Sequence, residues 1–86
     1  SMANQKFSSA AWEDYLYWQS HDKKTLRRVN ELIKVSLRTP YEGIGKPEPL
    51  KGNLSGWWSR RITETDRFVY KWEAETLLIA QLRYHY

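Results

Sequence analysis

Residues 57–72 read WWSRRITETDRFVYKW, and this stretch decides the fold. Two runs rich in aromatic and β-branched residues flank the turn-forming Thr63-Glu64-Thr65-Asp66, which is the pattern of an antiparallel hairpin. A third run follows the polar break Glu73-Ala74-Glu75. A three-stranded meander is therefore expected over 57–62, 67–72 and 77–84. Alternation sets Phe68, Tyr70 and Trp72 on one face and Arg67, Val69 and Lys71 on the other. In the preceding strand Trp58, Arg60 and Ile62 oppose Trp57, Ser59 and Arg61. The aromatic face belongs against a covering layer, and the opposite face is basic.

Upstream of the hairpin, residues 40–56 hold all four glycines and all three prolines of the chain, a loop composition rather than that of a helix or strand. Loops of this length in small domains are often functional. Before it, Leu26, Val29, Ile33 and Leu37, joined by Leu32, recur at the spacing of a buried helical stripe that Asp22 caps and Thr39-Pro40 ends. The other side of that helix is charged. Ser8 or Ser9 caps an earlier helix running to about His21, in which Trp12, Tyr15, Leu16 and Gln19, widened by Ala11 and Trp18, form the apolar side. Residues from about 5 to 8 make a short first strand. The order is β-α-α-β-β-β: an α+β fold of two layers, an antiparallel sheet packed on two helices, expected to be a single domain over 1–86. Ser1 reads as a cleavage remnant before a natural Met2 start.

Composition narrows the function classes. The 86 residues contain no Cys, which excludes a disulfide framework, a thiolate metal site and a cysteine nucleophile. Five Trp and six Tyr supply large apolar areas for a small core. No run approaches the roughly 18 apolar residues of a membrane span, so a cytoplasmic protein without a membrane partner is expected. The net charge of +4 favours a polyanionic partner.

Two segments carry candidate chemistry. Lys46-Pro47-Glu48-Pro49-Leu50-Lys51 sets one carboxylate between two prolines, whose fixed backbone aims a side chain, and two lysines. The closing Arg83-Tyr84-His85-Tyr86 supplies a histidine, the side chain best suited to proton transfer near neutral pH. Strict alternation would send His85 and Tyr86 to opposite faces, so a site using both requires the end of the chain to twist or leave the strand.

The segments Trp12-Glu13-Asp14-Tyr15-Leu16-Tyr17-Trp18-Gln19, Gly45-Lys46-Pro47-Glu48-Pro49-Leu50-Lys51, Asn53-Leu54-Ser55-Gly56, Trp58-Ser59-Arg60-Arg61-Ile62 and Arg83-Tyr84-His85-Tyr86 together resemble the YoeB toxins of the RelE/ParE superfamily. The resemblance implies a RelE/ParE-like (microbial RNase-like) fold and an mRNA interferase, a ribosome-dependent endoribonuclease that needs no metal and no cofactor. By the same resemblance Glu48 matches the general base, His85 the general acid, Arg67 the phosphate-stabilising residue and Tyr86 the terminal active-site tyrosine. Lys51 and Arg61 match further active-site basic positions, and Lys46, beside Glu48, is read with them as RNA-binding. The implied partners are a YefM-like antitoxin, the 70S ribosome with its mRNA, a second copy of the chain in a homodimer, and operator DNA only through the antitoxin complex. The competing readings are a noncatalytic ParE-like inhibitor and a plain RNA-binding module on the same fold.

Overall fold

The computed structural model describes residues 3–86; Ser1 and Met2, with the cleavage remnant and start read there, lie outside the described residues. Two capping residues organise the helical layer. The Ser8 hydroxyl oxygen accepts the Ala11 N–H at 3.0 Å and opens α1 (Ser9–His21), satisfying one of the donors that a helix start leaves unpaired. Asp22 then acts twice. Its N–H donates to the Trp18 carbonyl at 2.9 Å, closing α1. Its carboxylate accepts from the Thr25 N–H at 3.0 Å and the Thr25 hydroxyl at 2.7 Å, opening α2 (Lys23–Arg38). With no residue to spare between them, the helices must turn back on one another. The bonds from Thr25 hold the Asp22 carboxyl below the usual carboxylate range. α2 ends at Arg38, before Thr39 and Pro40, as the sequence predicts.

The stripe on α2 is buried as expected, with Val29, Leu32 and Ile33 in the core. α1 differs. Ala11 and Trp18 are its buried residues, while Trp12 is 47% exposed. The Trp12 ring stacks on Tyr15 at 5.5 Å and meets Phe7 edge-on at 5.7 Å, so it covers the helix surface instead of entering the core.

The sheet comprises β1 (Asn4–Phe7), β2 (Glu48–Pro49), β3 (Trp58–Arg61), β4 (Arg67–Glu73) and β5 (Thr76–Gln81), in the order β1-β5-β4-β3-β2. The two-layer α+β fold is the expected one, but the sheet is mixed rather than wholly antiparallel, because β1 runs parallel to β5. Parallel partners need a long crossover, and both helices, the loop and the hairpins lie between these two. A second difference is β2, which forms inside the Gly- and Pro-rich segment. Proline lacks the ladder donor and survives in sheets at an edge, which is where Pro49 pairs with Trp58.

The last strand is shorter than the sequence suggests and ends at Gln81. The cause is a β-bulge: Tyr70 pairs with Ile79 but Val69 pairs with Gln81, leaving Ala80 as the extra residue. A one-residue shift exchanges the two faces. Gln81 thereby joins Val69 on the face away from the helices, and Leu82 turns inward to zero exposure. Phe68, Leu77, Ile79 and Leu82 are all at or near zero exposure, and each contributes about 1.5–3 kcal/mol by burial.

Candidate active site

Residues directly opposite in a ladder share a face, so the register builds the site row by row. Glu48 pairs with Ser59, Ser59 with Val69, and Val69 with Gln81, forming one row across four strands. Arg61 pairs with Arg67 in the next row. The expected basic face therefore exists, and Glu48 belongs to it through β2. Its carboxylate is exposed and, among the described residues, holds no hydrogen bond or ion pair; Lys46 and Lys51 on either side are exposed as well.

The loop that delivers Glu48 is held from inside by an arginine. Arg60 has zero exposure. Its Nη1 donates to the Ile44 carbonyl at 2.7 Å, and its Nη2 to the Thr39 and Glu42 carbonyls at 2.7 and 2.8 Å. Its Nε reaches the Tyr70 hydroxyl at 3.1 Å, which in turn donates to the Pro40 carbonyl at 2.6 Å. Burial pushes the Tyr70 hydroxyl above its usual range, which keeps it a donor. Four oxygens, the carbonyls of Thr39, Glu42 and Ile44 and the Tyr70 hydroxyl, thus meet one fork of donors, a task suited to guanidinium geometry. Gly45 completes the loop, with φ at +83° and only 2.9 Å between a notional Cβ and Leu32. Its carbonyl accepts the Arg61 N–H at 2.7 Å.

On the opposite side of the row the end of the chain is clamped at successive residues. The Asp14 carboxylate accepts the Leu82 N–H at 2.9 Å, and the Trp18 indole N–H donates to the Leu82 carbonyl at 2.7 Å. Burial raises the Asp14 pKa above the ordinary carboxylate value, against the lowering effect of the Leu82 bond and the charge of Arg83. The Gln81 amide nitrogen donates to the carbonyls of Arg83, Tyr84 and His85 at 3.0, 3.1 and 3.1 Å. The Tyr84 N–H donates to Asp66 Oδ1 at 2.8 Å, and the Tyr84 carbonyl accepts the Arg67 N–H at 2.9 Å.

Tyr84 has φ at +68°, a left-handed conformation outside strand geometry. That residue supplies the twist that a shared site demands. Beyond it the His85 and Tyr86 rings stack at 4.4 Å and 27° instead of diverging. His85 Nδ1 lies 3.1 Å from Tyr86 O, an oxygen that accepts, which leaves Nε2 as the ring nitrogen outside this contact.

Arg67 is fixed by the hairpin turn: its Nη1 donates to the Thr63, Glu64 and Asp66 carbonyls at 2.8, 3.2 and 3.0 Å. The turn is itself tied by Thr63, whose hydroxyl donates to Asp66 Oδ2 at 2.7 Å and whose oxygen accepts the Asp66 N–H at 3.0 Å.

The sequence model described as "YoeB-like toxin of bacterial type II toxin-antitoxin system" matches residues 7–86. The chain belongs to this family. It is 61% identical over 80 residues to "Toxin YoeB" of Escherichia coli strain K12, covering 93% of this chain and 95% of that one. A solved "YoeB/ParE toxin from Agrobacterium tumefaciens" superposes with a TM-score of 0.94 at 44% identity, over 96% of this chain and 99% of the other. The Staphylococcus aureus relative, solved in a heterotetrameric YoeB-YefM complex and as a YoeB dimer, gives TM-scores of 0.90 and 0.91 at 47% identity, with both chains fully covered.

In this YoeB-like toxin the candidate residues Glu48, Arg61, Arg67 and His85 are legible in the sequence, and the groups that position them are not. Gln81 was hidden by the bulge, and Asp14 and Trp18 by a helix face dominated by aromatics. Arg60 did leave a signal: alternation already put a charged residue on the face of Trp58 and Ile62, where only a fully paired one is tolerated.

Proposed function

We propose that this toxin is an endoribonuclease that cuts messenger RNA in the ribosomal A site by general acid–base catalysis without a metal, and so arrests translation. The observation that carries the reading is the row Glu48–Ser59–Val69–Gln81, which has an unpaired carboxylate at one end and, at the other, the amide holding the His85 carbonyl.

RNA brings its own nucleophile. Glu48 takes the proton of a 2′-hydroxyl as its oxygen attacks the adjacent phosphorus. The bond to the 5′-oxygen breaks, and His85, as the imidazolium with a proton on each ring nitrogen, delivers the Nε2 proton to that leaving oxygen and is left neutral. The products are a 2′,3′-cyclic phosphate and a free 5′-hydroxyl. Charge building on the phosphoryl oxygens is met by Arg67, whose intramolecular bonds run through Nη1 and leave the rest of the fork for phosphate. Arg61, Lys46 and Lys51 hold the strand, and Tyr86 stacks on a base.

With few base-reading groups, the domain relies on the ribosome to present the codon in a bent, attack-ready geometry, and it works in the cytoplasm. A YefM-like antitoxin neutralises it, as the staphylococcal relative is solved with YefM; a homodimer parallels that relative's dimer, and operator DNA is met only through the antitoxin complex.

The test is to map messenger 5′ ends after brief expression, with His85→Gln as control. New ends at codons occupying the A site, absent in the control, are expected. Growth arrest that persists unchanged in Glu48→Gln and His85→Gln would mean a noncatalytic poison.

A further inference from the structure

The open sheet face continues beyond the catalytic row, and its next row has a different composition. Lys6 pairs with Leu78 and Leu78 with Lys71, while Trp57, one residue before the Trp58–Tyr70 pair, falls opposite Lys71. This row lies two residues along the strands from Glu48 and Ser59, a step of about 7 Å. Trp57 is half-buried, and the Lys71 ammonium stands 5.4 Å from its ring centroid. Gly56, with φ at +94°, a backbone conformation that side chains rarely adopt, turns the chain into the indole. The same indole lines a shallow cavity of about 200 Å³ with Lys6, Ser8, Leu78 and Ala80, in which Lys71 takes no part.

An aromatic plane, an apolar floor and two ammonium groups beside the Glu48–Ser59 row, on the side away from Arg61 and Arg67, match the stacked base and flanking phosphates of a single RNA strand. The cavity is of a size for one planar ring. We propose that Trp57, Lys71 and Lys6 form a nucleobase subsite that stacks a nucleotide of the RNA strand neighbouring the bond cut at Glu48 and His85. The proposal rests on the ribonuclease reading and extends it: Lys71 steadies the indole on one side and meets phosphate, while the remaining surface takes the base.

The experiment measures binding by fluorescence anisotropy at low salt. The probe is a short labelled 2′-O-methyl RNA, which lacks the nucleophile and so is not cut, together with a series carrying one abasic position each. Trp57→Leu keeps apolar bulk and removes the ring; thermal unfolding checks its fold, and Trp57→Phe keeps a smaller ring should the leucine variant fail to fold. Wild type is expected to lose about tenfold in affinity at one abasic position. Trp57→Leu loses about as much on intact RNA and nothing further on that abasic RNA, the coupling expected of two groups in contact. Trp57→Phe keeps most of the affinity, and Lys71→Ala lowers the salt dependence.

Absence of wild-type binding, wild-type affinity in Trp57→Leu, or losses that add at every abasic position would each overturn the subsite. Unchanged RNA affinity together with weakened capture of a YefM-like antitoxin would reassign the patch to a protein interface. Failure of ribosome-dependent cleavage in the wild type, with the binding pattern intact, would instead count against the ribonuclease reading.

Discussion

The side-chain nitrogen of Gln81 lies 3.1 Å from the carbonyl oxygen of His85, four residues further along the chain. A single amide thereby gathers three successive carbonyls, of residues 83, 84 and 85. It sits in the Glu48 row only because the bulge at Ala80 turns it there. Replacing Gln81 with Leu removes both donors at nearly constant volume. The C-terminal turn should loosen while the core, anchored through Leu82, stays intact. Cleavage of ribosome-bound messenger is expected to fall about a hundredfold, the scale of a misplaced catalytic group, with little change in melting temperature. Loss of fold on the same scale as loss of activity would contradict this.

Asp14 gives a pH signature of definite sign. Its folded-state pKa is raised above the ordinary carboxylate value of 3.8, first by burial, so the folded state holds this proton more tightly than the unfolded chain. Stability from this group is therefore greatest below about pH 3.8 and falls as pH rises through the raised folded value. Asp22 has the opposite sign. Its pKa is lowered by the Thr25 bonds, so its contribution is present above 3.8 and is lost as pH falls through the folded value. Asp14→Asn keeps an oxygen for the Leu82 N–H and removes the titration. Denaturant midpoints measured between pH 3 and 6 should then show the Asp14 slope in wild type and not in the variant. Asp14→Leu leaves the Leu82 N–H unpaired and should cost about 1–3 kcal/mol.

Arg60 tests whether the loop is held by geometry or by charge alone. Lysine keeps the charge but offers one compact ammonium in place of a planar fork, and cannot reach the Thr39, Glu42 and Ile44 carbonyls together. Arg60→Lys is expected to destabilise the fold by about 2–3 kcal/mol through orphaned buried acceptors, and Arg60→Met by more, since no donor remains. Both should lower cleavage beyond what the lost stability explains, because Pro47 and Glu48 follow from the same loop. Chemical denaturation beside single-turnover cleavage separates the two effects.

These residues also mark where the sequence was legible. Local signals were strong for Ser8, Asp22 and Thr39-Pro40, where one residue's chemistry ends or begins an element, and both helices lie where those signals put them. The hairpin of β3 and β4 was equally plain from its turn. Signals failed where pairing is distant: β1 is polar and pairs with a strand some seventy residues later, which no local pattern announces. Of the site, Glu48, Arg61, Arg67 and His85 stand out as polar groups on an open face. What aims them, a bulge, a left-handed Tyr84 and a buried guanidinium, depends on contacts between segments far apart in sequence.

Asp66 and Gln81 hold the same residue from two directions, and this makes their coupling a test of the clamp. Asp66 Oδ1 accepts the Tyr84 N–H at 2.8 Å, while Gln81 takes the Tyr84 carbonyl at 3.1 Å. Tyr84 is in a left-handed conformation that costs an ordinary residue about 1 kcal/mol or more unless its surroundings impose it. The Arg67 N–H at the Tyr84 carbonyl holds one end in either case, but losing either of these two bonds leaves Tyr84 able to relax toward extended geometry, and once it relaxes, His85 and Tyr86 diverge whichever bond was lost. The single replacements Asp66→Ala, which removes the Oδ1 acceptor, and Gln81→Leu should therefore each reduce cleavage severely, and the double variant should be scarcely worse than either. A double-mutant cycle on single-turnover rates reads this directly. Multiplicative losses would mean that the two residues act on the site independently and that Tyr84 is not the shared hinge.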